Sequence, residues 1–415
     1  MNIYILNINV NAHLAHKNNN IYININKLSN YKINKLITKI SYILKIYDMC
    51  NTFNIIFLNV NDCCNQCIIL LKLHNILYKY SSKMPTINIY NSHNHSYNMF
   101  NELKLYKDIV LNPNKTPSSY LKYITSRVPC NYTYQVFNVN DIDMFPLTKA
   151  VGAGSIHHTY FVHIFPKNIN SSKALYMIGK GVTYDSGGLN IKLSNMEEMK
   201  VDMIGSAILI SVLNILNNYN YNIHLLIPIV ENMISSYATK PGNVIKTMNN
   251  KKVEIINTDA EGRLCIADAL EYIQMFLPCS CDTLILDIAT LTGNTKQITS
   301  HMSCITLHNK KATKFANNLI DIGDYIGEYV DTLVLRQEYT DMLTNTNIAD
   351  IKNICNQNKS GCLLGGAFIN YFVDKHIPWM HLDVASCTYI NNNINCYGIN
   401  LLYVFCKHYF ASCNN

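Results

Sequence analysis

Acids are scarce in this chain, 27 Asp and Glu among 415 residues. Yet "NTDAEGRL" (257–264) sets Asp259 and Glu261 two apart, with Gly262 and Arg263 directly behind. A second block, "MIGKGVTYDSGG" (177–188), places Lys180 and Asp185 before Gly187 and Gly188. Lacking a Cβ, these glycines let a backbone turn sharply or pass close to a ligand. Lys192 follows in "LNIK", and Asp202 in "MKVDM" opens a strongly apolar run, a costly place for a carboxylate without a partner. Four carboxylates near strand ends, with lysine close and little histidine, have the donor chemistry of a dinuclear metal centre. Oxygen ligands suit Mg2+, Mn2+ or Zn2+, and a carboxylate can bridge two ions. Gathering four negative charges without cations would drive their pKa values up, and bound metal relieves that. Taken singly, each acid also has an ordinary role: Asp185 in a turn, Asp202 at a helix start, Asp259 as an N-cap. Those separate roles leave the combination unexplained.

Competing chemistries are weaker. Ser186 in "YDSGG" lacks the preceding glycine of a nucleophile elbow. Neither a phosphate-binding P-loop nor a dinucleotide glycine fingerprint occurs. The histidines of "NSHNHS" (His93, His95) and "SIHHTY" have no acidic partner nearby in sequence and read as solvated loops. Cys64 and Cys67 form one Cys-x-x-Cys pair without a second at zinc-finger spacing.

The elements that must position these residues divide the chain in two. Over 1–105 the patterning is weak: "NIYILNINV", "FNIIFLNV" and "TINIY" read as strands and "CIILLKLHNILYKYSSK" as a helix, a small α/β domain. A helical stretch around "NMFNELKLYKDIVL" leads into the prolines of "NPNKTP", and the domain junction is placed near residue 105. Over 106–415 the apolar runs "YFVHIF", "ALYMIG", "IHLLIPIV", "TLILDIATL" and "WMHLDVAS" alternate with helical segments, chiefly "MEEMKVDMIGSAILISVLNIL" and "RLCIADALEYIQMF". This order predicts an α/β fold, a larger C-terminal domain with a central, largely parallel sheet sandwiched by helices. Ligands gather at the carboxyl ends of such strands.

Composition sets the background. At 49% hydrophobic residues the chain is expected to fold. A net charge of +7 from scattered lysines argues against a nucleic-acid groove, which would cluster them. Fifteen cysteines, irregularly spaced and several in apolar runs, read as reduced thiols of a cytoplasmic protein. The N-terminus lacks the pattern of a secretory signal, and the longest apolar stretch is shorter than a membrane span. The Asn-rich runs "HKNNN" and "INNNIN" read as loops or insertions.

The two blocks resemble the signatures of the leucine aminopeptidase family, hexameric two-metal exopeptidases also called cytosol aminopeptidases. "NPNKTP", "AVGAGS", "PIVENMISSYATKPGNVI", "LDIATLTG", "ADIKN" and "HLDVAS" follow in the family's order, and the likeness spans roughly residues 106 to 390. The resemblance implies a metal-dependent aminopeptidase that removes a hydrophobic, leucine-like N-terminal residue from short peptides with a free N-terminus. It implies two divalent ions per subunit, Zn2+ and/or Mn2+, with Mg2+ or Co2+ as further options at the exchangeable site. Asp185, Asp259 and Glu261 would bind the exchangeable ion, and Lys180, Asp185, Asp202 and Glu261 the tighter one, so that Asp185 and Glu261 bridge. Water activated by both ions would attack the scissile carbonyl. Lys192 would donate to the developing oxyanion, and Arg263 would hold a bicarbonate acting as general base. Thr290, Leu291, Thr292 and Gly293 would line the substrate backbone, with Met199 a wall of the first side-chain pocket. The implied assembly is a homohexamer, a dimer of trimers, without membrane or nucleic-acid partners. Tyr184, Asn294 and the segments "TKQITSHMS" and "KSGCLLGGAF" depart from the family pattern and bear on side-chain preference. Two other classes compete: an oligomeric binding relative, for example DNA-binding, and a dimetal phosphoesterase. The complete metal set and the dispersed charge disfavour the first, and the shortage of histidine ligands disfavours the second.

Overall fold

The computed structural model describes residues 94–411 except 170, 172, 281, 356–359, 391 and 392, together with Leu73 and five strands before residue 91. Those strands are β1 (Asn2–Leu6), β2 (Leu14–Lys17), β3 (Asn20–Asn24), β4 (Thr52–Leu58) and β5 (Thr86–Tyr90), in the order β2-β3-β1-β4-β5. All pair in parallel except β2 with β3. The run "HKNNN" therefore meets strand edges, His16 and Lys17 closing β2 and Asn20 opening β3. "INNNIN" likewise borders a hairpin of β18 (Tyr389–Ile390) and β19 (Asn393–Ile394). Asparagine is depleted in strands on average, but flanking isoleucine and tyrosine carry the pairing here. Cys64, Cys67, His93 and most of the helix expected around "CIILLKLHNILYKYSSK" lie outside the described residues.

Helix α1 (Asn94–Leu111) runs through the junction expected near residue 105. It stops at "NPNKTP", where the buried Lys115 ammonium donates to the carbonyls of Val110 and Asn112 (3.2 and 3.0 Å), satisfying groups a helix end leaves open. Thr116 then caps α2 (Pro117–Ser126) in a capping box with Ser119.

The central sheet comprises β6 (Tyr132–Asn138), β7 (Tyr160–Pro166), β8 (Ala174–Gly179), β9 (Gly181–Asp185), β10 (Ile223–Asn232), β13 (Thr283–Ala289), β14 (Ser303–His308), β15 (Tyr329–Thr332) and β17 (Trp379–Asp383). Its order is β15-β14-β17-β13-β8-β10-β7-β6, with β9 continuing beside β10. The middle strands β17, β13, β8 and β10 are mutually parallel, and antiparallel strands join at both margins. A small sheet of β11 (Val244–Lys246), β12 (Lys252–Glu254) and β16 (Ile351–Lys352) stands apart. Successive strand residues face opposite sides. Leu175, Met177, Leu284, Leu286 and Ile288 therefore enter one core, and Tyr176, Ile178 and Ile285 the other. The first core is closed by α1, α2, α4 (Ile204–Ile215), α7 (Thr313–Ile326) and α10 (Ile399–Ala411). The second is closed by α3 (Pro146–Gly152), α5 (Gly262–Phe276), α8 (Gln337–Thr344) and α9 (Gly361–Tyr371). The short α6 (Thr295–Thr299) follows β13. The α/β sandwich expected from the alternation of runs is thus the architecture present. Among the described residues, no helix is long and apolar enough to cross a membrane.

One expected helix divides. "MEEMKV" (196–201) forms 3-10 turns, and α4 begins only at Ile204. The break places Asp202 between them instead of inside a helix. Helix α4 is apolar nearly all round and buried. A Cβ on Gly205 would stand 2.1 Å from the Ile288 carbonyl oxygen, so glycine there is what seats α4 against β13.

A buried polar chain crosses β7 and β10. The Tyr272 hydroxyl meets His163 Nδ1 (3.4 Å), His163 Nε2 meets His224 Nδ1 (3.0 Å), and His224 Nε2 meets Asn222 Oδ1 (3.0 Å). One proton per ring satisfies this chain with both imidazoles neutral. Burial holds His163 down to about 3, helped by His224, and His224 down to about 4. The unfolded chain takes up protons from pH 6.5 downward while the folded one resists, so this pair costs stability as pH falls through 6.5 towards 4. We expect the thermal midpoint to fall less from pH 7 to pH 5 in the double variant His163→Gln/His224→Gln than in the parent, measured by scanning calorimetry.

Candidate metal centre

Three strand ends meet at one point. Lys180 follows β8, Asp185 closes β9, and Thr290 follows β13. Asp202 precedes α4 and Glu261 stands at the N-cap of α5, whose first amides and partial positive charge favour an anion. Asp185, Asp202 and Glu261 each offer a carboxylate oxygen within 4.8 Å of the others, all buried. Lys180 Nζ pairs with Asp202 Oδ1 (2.8 Å) and Glu261 Oε1 (2.7 Å) and donates to the Thr290 carbonyl (3.2 Å). Thr290 Oγ1 donates to Asp202 Oδ1 (2.7 Å).

Lys192 Nζ bridges Asp185 Oδ2 (2.6 Å) and Asp259 Oδ1. Asp259 is therefore tied to the cluster through Lys192 and stands outside the tight trio, with its side chain 36% exposed against 2% for Asp185. Asp259 caps no helix: its own amide bonds to Asn257 Oδ1 (2.8 Å), and the helix starts beyond Glu261.

The electrostatics follow from this crowding. Burial and the carboxylates of Glu261 and Asp202 push Asp185 well above the ordinary carboxyl value, and burial lifts Asp202 to about 7. Asp259 is raised by burial and by Glu261. Glu261 goes the other way: burial opposes its charge, but Lys180 and Lys192 outweigh that and hold it ionised. For both lysines, burial is overcome by the surrounding carboxylates and the ammonium form is favoured. With all four carboxylates ionised, the two ammoniums would leave two negative charges uncompensated, which is why burial favours protonation of Asp185 and Asp202 when no other cation is near. Asp202 Oδ2 and Glu261 Oε2 are buried and accept no hydrogen bond among the described residues. An unpaired buried carboxylate oxygen is expensive, so the donor set fits divalent cations, which would supply both partner and charge.

The ligand-bearing loops are braced from behind. Gly187 and Gly188 take φ of +89° and +64°, as the turn after Asp185 demands. Ser186 Oγ is buried, donates to the Asn232 carbonyl (2.9 Å) and accepts from the Gly188 amide (3.2 Å), so it braces the turn. Asn232 Nδ2 donates to Asp185 Oδ1 (2.8 Å) and to the Thr258 carbonyl (3.0 Å), joining the two blocks. Asp383, closing β17, accepts from the Leu291 amide (3.2 Å) and Thr292 Oγ1 (2.5 Å), so it fixes the segment just after Thr290, whose own carbonyl meets Lys180. Met199 lies half-buried in the turn before Asp202. Arg263 is buried, and its Nη1 donates to the Asn353 carbonyl (2.8 Å). Burial lowers Arg263 to about 10, against Glu261 and Asp383, and its Nε has no acceptor among the described residues. Sequence reading assigned no role to Asn232, Asn353 or Asp383. Each sat in a quoted block, but nothing local says where an amide or carboxylate will reach.

Fold and site together define a class: an α/β sandwich, with helices on both faces of one sheet, and a buried lysine–carboxylate cluster, able to hold metal, at the carboxyl edge of its parallel strands. The profile of the cytosol aminopeptidase family, catalytic domain, matches residues 104–402. The chain belongs to that family. It is similar to a probable cytosol aminopeptidase of Vesicomyosocius okutanii, 35% identical over 247 residues, which cover 59% of this chain and 50% of the relative. The corresponding protein of Buchnera aphidicola is 34% identical over 328 residues, covering 76% and 64%. The cytosol aminopeptidase of Rickettsia prowazekii is 32% identical over 312 residues, covering 71% and 61%. The chain thus spans between half and two thirds of the length of these relatives.

Proposed function

We propose that this protein is a metal-dependent aminopeptidase that removes a hydrophobic, leucine-like residue from the N-terminus of short peptides. The observation that carries the reading is the buried trio Asp185, Asp202 and Glu261 with two unpaired carboxylate oxygens beside Lys180 and Lys192. Lys180, Asp185, Asp202, Asp259 and Glu261 are the residues that would hold two divalent ions, Zn2+ or Mn2+, with Asp185 and Glu261 shared. Bound there, such ions supply Lewis acidity and activate water for attack on a carbonyl. Lys192, which borders the cluster through Asp185 and Asp259, would donate to the oxyanion that develops on the scissile carbonyl. Buried Arg263, with a free donor edge, is suited to hold a small anion such as bicarbonate that takes up the proton of the attacking water. Thr290–Gly293 offers backbone groups along which a peptide can lie, and Met199 an apolar wall for its first side chain. The family reading extends to a cytoplasmic homohexamer with an N-terminal domain over 1–105 and a catalytic one over 106–415.

The decisive assay is release of leucine from leucyl amide by chelator-treated protein, with and without restored Mn2+ or Zn2+. We expect silence without metal, turnover with it, and no cleavage of the N-acetylated substrate. Absence of turnover with metal occupancy verified would sink the proposal. Metal affinity should also depend on pH. Asp202, raised to about 7, must lose its proton, and Lys180, stabilised as an ammonium, must lose one to become a ligand. Binding therefore releases protons and strengthens as pH rises. Calorimetric titration with Mn2+ should give tighter binding at pH 8 than at pH 6, by roughly tenfold per pH unit for each proton released.

A further inference from the structure

Asn353 directly follows β16 and is completely buried. Its Oδ1 accepts from the amides of Ile256 (2.8 Å) and Asn257 (3.3 Å), and its Nδ2 donates to the carbonyls of Asn257 (2.7 Å) and Ala260 (3.4 Å). Its own amide donates to the Glu254 carbonyl (3.0 Å), and its own carbonyl accepts from Arg263 Nη1 (2.8 Å). One residue thus reaches the end of β12, the loop that carries Asp259 and Glu261, and the guanidinium beyond it.

That loop, residues 255–261, lies between β12 and α5. Its backbone groups need partners from elsewhere. Asn190 and Asn232 supply some at Thr258, on the side facing Asp185. Asn353 supplies those at Ile256, Asn257 and Ala260, and a primary amide alone among side chains of this size offers donors and an acceptor in one plane. We infer that Asn353 is a positioning residue of the proposed peptidase, holding loop 255–261 and the Arg263 guanidinium in one register so that Asp259, Glu261 and Arg263 arrive at the cluster together. The inference rests on the function proposed above.

The substitution Asn353→Asp keeps the shape but sets a carboxylate oxygen against the carbonyls of Asn257 and Ala260. Asn353→Ser shortens the side chain, removes both amide donations and keeps an acceptor. For each, loss of the bonds that hold the ligand-bearing loop should weaken Mn2+ binding by roughly 10-fold or more, the lower end of what loss of a group bonded directly to a ligand costs. We expect kcat for leucyl amide to fall in parallel while KM changes little, because the residue touches no substrate. Mn2+ affinity would be measured by competition with a chelator, with folding followed by circular dichroism and melting of the chelated protein.

Variants that bind Mn2+ and turn over like a competent parent overturn the inference alone. So does loss of melting temperature with metal affinity intact, or failure of both variants to fold, since either places the role of Asn353 in the fold. A parent that neither binds Mn2+ nor releases leucine overturns the functional reading and this inference with it.

Discussion

Glu261→Ala is expected to abolish turnover and to lower bound metal in the same protein. Glu261 Oε1 meets Lys180 at 2.7 Å while Oε2 is buried with no hydrogen-bond partner among the described residues, so one oxygen is committed and the other is left to serve as a ligand. Lys180 and Lys192 hold it ionised despite burial, and it can serve as a ligand across the whole working pH range. Removing it takes one of three converging carboxylates from the trio. It also leaves Lys180 paired with Asp202 alone. Several kcal/mol of charge stabilisation rest on a catalytic metal, so kcat is expected to fall by roughly 10^3-fold or more, at about 1.4 kcal/mol per tenfold. Metal analysis after gel filtration should show at least one ion lost per chain. Activity retained with both ions bound would show that Glu261 bridges nothing.

Gly262→Ala should be nearly as damaging, although local rules favour it. Gly262 opens α5 without a left-handed backbone, and alanine is worth about 1 kcal/mol over glycine in a helix. The reason for glycine is Lys180: a Cβ here would stand 2.6 Å from its Cε and 2.8 Å from its Nζ. The lysine is buried and pinned by two carboxylates, so the methyl group must push the amine off the cluster. Displacement of a reacting group by about 1 Å can cost 10^2-fold. We therefore expect kcat to drop by about that factor and metal affinity to fall, with the melting temperature of the chelated protein kept or raised. Full activity in Gly262→Ala would mean that the amine does not need this seat. The glycine thus serves close approach by a side chain, where the sequence suggested a tight loop path.

Much of the architecture was legible because it rests on short-range pattern. Apolar runs such as "ALYMIG" and "TLILDIATL" became β8 and β13, and "RLCIADALEYIQMF" became the body of α5. Misreadings fell where tertiary contacts override composition. The 3-10 turns at 196–201 interrupt a run of helix-forming residues, because Asp202 is drawn to Lys180 instead of continuing the helix. Asn-rich stretches meet strand edges because neighbouring isoleucines find partners across the sheet.

By itself, the sequence determined the chemistry available: two lysines and four carboxylates in two dense blocks, and strands and helices in alternation to carry them. It could rank these residues as a metal set, since charge crowding is a property of residue types. Only the tertiary structure decided which acids share a point. It sets Asp185, Asp202 and Glu261 within 4.8 Å, leaves Asp259 at one remove through Lys192, and brings Asn353 from a distant strand to brace the loop. The physical reason is range. Propensity and periodicity act among residues a few positions apart, whereas this site is made by the order in which β8, β10 and β13 pair and by how closely α4 and α5 pack on them.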